Sequence, residues 1–274
     1  MTDIDRYRQI SEKISAFFWI ERQRVCESGD ILMESYRYLA GIYDMCLYDV
    51  DYEEWYRYIK GLLDECGVSG DVIETACGTG NLTQYLARDY DVIAVDRSEE
   101  MLSQAREKLR KQGKDAVFVC CDMAEFEREK GSSAVVCAMD GVNYLTEGTD
   151  GFFRAAYGNL RPGGVFLFDI SSEYKLKDMI GDEMFCDVSD DASYIWMNEF
   201  KSGILTMDIT MFIKNEQGSY DRFDEIHEQR AYSAEEIRKS LIKAGFKGIK
   251  AYGFMTREAP SETSERIQFA AVRE

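Results

Sequence analysis

The stretch VIETACGTGNLT, residues 72–83, decides how this chain is read. It opens as a short apolar strand and breaks at a glycine turn, and NLTQYLARDY, residues 81–90, returns to helical spacing. Gly78 and Gly80 permit positive φ and a close approach of backbone to a ligand. The helix expected near Asn81 presents unpaired N–H groups to a negative or polar group. A bound cofactor explains that arrangement, and a tight strand-to-helix turn without a ligand would also produce it. The next strand favours the cofactor. Sixteen residues after Gly80, DVIAVD ends in Asp96, where a carboxylate can accept hydrogen bonds from two ribose hydroxyls. A surface aspartate at a strand end is the plainer alternative.

Strand, G-x-G, helix and acid would suit a nicotinamide dinucleotide, but Thr83 stands where G-x-G-x-x-G needs its third glycine. The first strand also carries Glu74, whose charge repels pyrophosphate and suits an ammonium group through a direct or water-mediated contact. A cationic adenosine cofactor therefore fits better than NAD.

Outward from the turn, strands and helices alternate. DVIAVD (91–96), AVFVCCD (116–122), SAVVCAMD (133–140) and VFLFDI (165–170) read as strands, with helices over 98–113 and 151–160 and a short helix after residue 122. Such alternation predicts a parallel sheet, and LRPGG, residues 160–164, reads as a turn that stops the preceding helix. Residues 193–200, 203–214 and 219–232 instead alternate apolar and polar with period two, as antiparallel strands with one wet face do. A helix with a Ser-x-x-Glu box from Ser233 to Glu236 and two further strands complete the chain. Ahead of the first strand, helical spacing covers residues 5–26, a run through Tyr36 and Tyr43, and residues 52–66.

These motifs together resemble the class I S-adenosylmethionine-dependent methyltransferases, over about residues 36–274. ETACGTGN, residues 74–81, is similar to that family's first motif, with Ala76 where many members carry glycine. VDRSEEMLSQAREK resembles the second, which implies that Asp96 binds the ribose hydroxyls while Arg97 and Met101 flank the adenine. CCDM resembles the third, with Asp122 meeting the adenine amino group and Met123 offering its backbone. AMDGVNYL resembles the fourth, with Asp140 near the methionine end of the cofactor. YRYLAGIYDMCLYDVDYEEW, residues 36–55, resembles the lead-in of a bacterial small-molecule subgroup that includes amino-sugar N-methyltransferases. There the tyrosine of a Tyr-Asp pair caps the cofactor, which implies that role for Tyr43, with Tyr36 also expected on the cofactor; otherwise Tyr36 and Tyr43 form a core aromatic stripe. The segment ending the antiparallel strands carries the subgroup's E-x-H-x-x-R-x-Y pattern in Glu225, His227, Arg230 and Tyr232.

The expected fold is thus α/β, a Rossmann-like, mostly parallel seven-stranded sheet with helices on both faces. The expected divisions are a helical extension over 1–35, a cofactor core over 36–170, an antiparallel insertion over 171–232 on the acceptor side, and closing core elements over 233–274. S-adenosylmethionine is the expected cofactor and S-adenosylhomocysteine its product.

Composition narrows the partners. With 33 basic against 51 acidic side chains the formal charge is −18, which argues against nucleic acid. Eight cysteines with no C-x-x-C and a single histidine leave no ordinary zinc ligand set and only one candidate base for a hydrolase triad. The charged start and the lack of an 18-residue apolar run predict a cytoplasmic protein with no membrane association. A monomer or homodimer acting on a small molecule is expected.

A sulfonium is an activated leaving group, so alignment of donor and acceptor matters more than a covalent catalyst. An acceptor that must lose a proton would turn to His227, the side chain whose ordinary pKa suits that task near neutrality. Glu225 and His227 share one face of a strand, so both line a pocket or both meet solvent. Candidate catalytic residues are therefore His227, Tyr43 and Asp140, with Asn143, Tyr144, Glu225, His227 and Arg230 on the acceptor side. Trp19, Trp55, Tyr144 and Trp196 could cage a cation or pack as core. The alternatives are a protein side-chain methyltransferase, a module that binds the cofactor or its product without turnover, and, more remotely, a nicotinamide dehydrogenase.

Overall fold

The computed structural model of the chain describes residues 50–215 and 217–274. The expectations for Tyr36, Tyr43, Trp19 and the leading helices lie outside the described residues. Helix α1 (Tyr52–Glu65) starts at Asp51, whose Oδ1 accepts the Glu54 N–H at 2.9 Å, and it buries Trp55, Ile59, Leu62 and Leu63 at helical spacing. Strand β1 (Asp71–Thr75) then leads through the glycine turn into a helix α2 of only four residues, Thr83–Leu86. The helical pattern of residues 81–90 therefore resolves mostly into turns.

Strands β2 (Asp91–Asp96), β3 (Val117–Cys120), β4 (Ser132–Cys137) and β5 (Leu160–Ser171) follow, with helix α3 (Glu99–Lys111) between β2 and β3 and α4 (Asp150–Asn159) before β5. Helix α5 (Ala234–Ala244) and strands β10 (Lys247–Gly253) and β11 (Arg266–Val272) close the sheet. Its order is β10-β11-β5-β4-β1-β2-β3, parallel from β5 to β3, with β11 antiparallel to both β5 and β10. The chain crosses from the β2 side to the β4 side of β1, and this reversal opens a crevice at the carboxyl ends of β1 and β4.

The sheet is covered on both faces, which is why its strands read as near-continuous apolar runs. Ala134, Val136, Val165 and Leu167 pack toward α1, whereas Val135, Cys137, Phe166 and Phe168 pack toward α4 and α5 with Phe152, Phe153, Phe246 and Phe269. Burial of each such phenylalanine stabilises the fold by about 1.5–3 kcal/mol.

Two local expectations change. The short helix after residue 122 is a pair of turns in which Glu125 and Phe126 both donate to Asp122 O. LRPGG lies within β5: Leu160 pairs with Ser132 and Val165 with Ala134, so the intervening residues loop out as a bulge, with Gly163 at φ 78°. Between β5 and α5 a π-helix (Tyr174–Ile180) leads into a second, antiparallel sheet of β6 (Met184–Val188), β7 (Ala192–Lys201), β8 (Ile204–Lys214) and β9 (Tyr220–Arg230). The period-two reading anticipated β7, β8 and β9. β6 is exposed throughout and shows no alternation of burial.

Candidate active site

A cavity of about 540 Å³ runs from the carboxyl ends of β1 and β2 to the inner face of the second sheet. At the first end its wall contains Ala76, Gly78, Asp96, Arg97, Met101, Asp122 and Met123. Gly78 has φ 54° and nothing within 4 Å of where a Cβ would stand, leaving an open floor. Asp96 joins the two turns: Oδ2 accepts the Gly78 N–H at 2.8 Å and Oδ1 the Ser98 N–H at 2.9 Å. A carboxylate has about four lone-pair positions, so both oxygens can accept again. Burial raises the Asp96 pKa, opposed by those N–H groups. Asp122 Oδ1 accepts the Ala124 N–H at 2.8 Å and so shapes its own loop.

Three residues of the same motif stand behind the wall. Gly80 is packed against α3, where a Cβ would meet Ala105 Cβ at 2.9 Å, so its glycine serves helix packing and not approach to a ligand. Asn81 bonds through Oδ1 to Lys108. Glu74 is buried on β1, its Oε2 has no hydrogen-bond partner, and burial pushes its pKa to about 8 with a further push from Asp96.

The loop after β4 forms the middle of the cavity. Met139 and Asp140 both hold left-handed backbone, φ 61° and 53°, which L side chains adopt only when their surroundings compel it. Here the Asp169 carboxylate, at the end of β5, accepts the Met139 N–H at 2.8 Å and the Asp140 N–H at 3.0 Å. The Asp140 side chain accepts from Arg266 Nη1 at 2.9 Å and from Gln229 Nε2 at 2.8 Å, and Arg266 also bonds to Asp169. Burial raises the Asp169 pKa, with Arg266 opposing, while the two carboxylates keep the buried guanidinium charged.

The far end is roofed by β7, β8 and β9. Paired positions of antiparallel strands share a face, so Tyr194, Trp196, Met207, Ile209, Met211 and His227 all line the cavity. His227 and Glu225 both turn inward, and His227 Nε2 lies 2.9 Å from Glu225 Oε2. The His227 ring meets Tyr144 edge-on at 6.2 Å between centroids.

Two residues expected on the acceptor side lie off the cavity. Asn143 is fully buried behind the wall: its amide donates to Ser171 O and Arg230 O and accepts the Ser171 N–H, so it fastens β5 and β9 to the post-β4 loop. Arg230 also lies off the cavity, stacked over Tyr232 and reaching Thr146 O and Glu236. Among the described residues no group of three or more His, Cys, Asp or Glu side chains could hold a metal ion, and no helix is long and apolar enough to cross a membrane.

A methyltransferase-domain model matches residues 72–164. YqeM of Bacillus subtilis (strain 168), provisionally named a methyltransferase, is 35% identical over 242 residues, covering 86% of this chain and 96% of that one. The crystal structure of an S-adenosylmethionine-dependent methyltransferase from Clostridium acetobutylicum superposes with a TM-score of 0.79 at 34% identity, covering 86% and 98% of the two chains. The chain belongs to the class I S-adenosylmethionine-dependent methyltransferases. A sugar N-methyltransferase from Streptoalloteichus, KedS8, shares the fold at a TM-score of 0.72 and 18% identity, over 85% of this chain and 92% of that one.

The cofactor of this methyltransferase is S-adenosylmethionine, and the residues present fit it. The open floor at Gly78 and the accepting capacity of Asp96 offer room and hydroxyl acceptors for a nucleoside. Sequence reasoning missed Asp169, Lys175, Gln229 and Arg266. Asp169 ends an apolar strand as Asp96 does, and Gln229 follows the inward alternation of Glu225 and His227, so both carried a local signal. Arg266 and Lys175 carried none.

Proposed function

We propose that this methyltransferase acts on a nitrogen or oxygen of a small molecule held under the second sheet, with His227 taking the acceptor's proton. The observation that supports it is the continuity of one cavity from Gly78 and Asp96 to His227, of a size typical of small-molecule pockets. A protein side chain would call for an open groove, and here a four-stranded sheet covers the acceptor end. The fold shared with a sugar N-methyltransferase agrees with a small acceptor.

In this reading Asp96 accepts the ribose hydroxyls, Arg97 and Met101 flank the adenine, and Asp122 and the Met123 backbone meet its edge. Asp140 faces the methionine end, the family resemblance gives its cap to Tyr43, and residues 171–232 cover the acceptor. When bound, the sulfonium supplies an activated methyl group and a neutral thioether as leaving group. Arg266, Gln229 and Asp169 hold Asp140 rigidly, so the wall beside the transferred methyl is set before substrates arrive. Glu225 accepts from His227 Nε2, which fixes the ring and its tautomer, and stabilises the imidazolium formed when Nδ1 takes a proton. The apolar roof excludes water from the transfer.

The test is methyl transfer to a panel of small amines and phenols by the wild type and by His227→Ala. The variant should bind S-adenosylmethionine as the wild type does yet turn over about a hundredfold more slowly or worse. Full-rate turnover by His227→Ala removes the proton-transfer role, and transfer to protein alone removes the small-molecule reading.

A further inference from the structure

We propose that Lys175 is the anion-recognising residue of the acceptor chamber, and that the methyl acceptor is a flat apolar molecule bearing a carboxylate. This rests on the small-molecule reading given above and names its substrate class.

Lys175 is held in place. It is the second residue of the π-helix that joins the two sheets, a rare backbone form that occurs frequently at functional sites. Its N–H donates to Ser172 Oγ at 3.1 Å, and the next residue, Leu176, is fully buried against Leu205 and Met207. The helix ends where Gly181, at φ 49°, donates to Leu176 O at 3.0 Å. The Lys175 side chain lines the cavity, as does Ile180 at the other end of the same helix.

The ion pairs of the site leave Lys175 out. Asp140 and Asp169 are both bonded to Arg266, and Asp140's second oxygen accepts from Gln229. Among the described residues no carboxylate oxygen lies within ion-pair distance of the Lys175 ammonium. Burial, with Arg266 close by, lowers its pKa against the opposing pull of Asp140, Glu265 and Asp169, so a ligand anion in contact with it would offset the cost of desolvation. The indole N–H of Trp196, in the same wall, is also buried without a partner. Both groups are donors, so a fitting ligand must bring acceptor atoms. An ammonium outside any ion pair, with Asp140, Glu265 and Asp169 already in its field, suits the single charge of a carboxylate better than the nearly double charge of a phosphate. The remaining wall, Ile180, Tyr194, Met207, Ile209 and Met211, is apolar and rich in thioether, which suits a ring.

The probe pair is 4-hydroxybenzoate and its neutral amide, 4-hydroxybenzamide, titrated calorimetrically into the protein saturated with S-adenosylhomocysteine. The acid should bind about tenfold or more tightly than the amide, the ratio expected for a hydrogen bond to a charged group. Lys175→Met should remove the preference and Lys175→Arg should keep most of it, with both variants binding S-adenosylhomocysteine like the wild type. Equal affinities, no binding of either probe, or a preference that survives Lys175→Met overturns the assignment. The readout is independent of turnover: methylation of neutral amines without any preference for acids keeps the small-molecule reading and discards the role of Lys175.

Discussion

Arg266 Nη1 donates to Asp140 Oδ1 at 2.9 Å across 126 positions of sequence. The bond ties the last strand, β11, to the left-handed turn after β4, and the guanidinium is covered by the rings of Trp55 and Phe254 at 5.3 and 5.8 Å to their centroids. A buried cation between two acids is a device for holding geometry, since removing one partner strands the others.

Arg266→Met leaves Asp140 and the fully buried Asp169 without their cation. Loss of about 3–5 kcal/mol of folding stability is expected, measured by urea unfolding. A variant that also carries Asp140→Asn and Asp169→Asn should recover part of that loss, because the stranded charges are then gone. A loss well under 1 kcal/mol in the single variant would contradict a buried ionic clamp.

Glu74 makes stability fall as pH rises. Its carboxyl has a pKa of about 8 in the fold against 4.5 for the ordinary group, so between those values the folded chain holds a proton that the unfolded chain has released. The stabilisation is complete below about pH 4.5 and is lost as pH rises toward 8, by at most about 1.4 kcal/mol per pH unit. Glu74→Gln should flatten this part of the stability–pH curve. A slope unchanged in the variant would show that another group titrates.

Asn143→Ala removes three buried hydrogen bonds at once. Destabilisation on the order of 2–4 kcal/mol is expected from the carbonyls and N–H left unpaired. Thermal unfolding reads the loss, and calorimetry on the folded variant should find cofactor affinity unchanged. Full stability together with impaired acceptor binding would return Asn143 to the acceptor side.

Asp96→Ala deletes the carboxylate that accepts the Gly78 and Ser98 N–H groups and faces the cavity. S-adenosylmethionine should bind about ten- to a hundredfold more weakly, equivalent to 1.5–3 kcal/mol, by calorimetric titration. Unchanged affinity would remove Asp96 from the cofactor site.

Of the residues singled out from the sequence, Ala76, Gly78, Asp96, Arg97, Met101, Asp122, Met123, Asp140, Tyr144 and His227 do meet in one cavity, whereas Glu74, Gly80, Asn81, Asn143, Glu225 and Arg230 stand behind or beside it. Those that meet are mostly at the ends of strands or in the turns that follow them, where a parallel sheet brings successive loops to one edge. Of those that stand back, Gly80, Asn81 and Asn143 are engaged by other elements, whereas Glu225 turns inward and bonds to His227. Gly80 differs from Gly78 in having α3 against it, and that neighbour is not written in the turn.

Local pattern by itself determined the parallel sheet, the glycine turn, the acids near the ends of β1 and β2, the antiparallel β7 to β9 and the common face shared by Glu225 and His227, because period and turn chemistry act over a few residues. The clamp of Arg266 on Asp140 and Asp169, the cavity-wall position of Lys175 outside those ion pairs and the fastening amide of Asn143 were decided only by the tertiary structure. Their meaning depends on charges and hydrogen-bond partners from distant elements, and which acid a cation pairs with is a property of the packed fold.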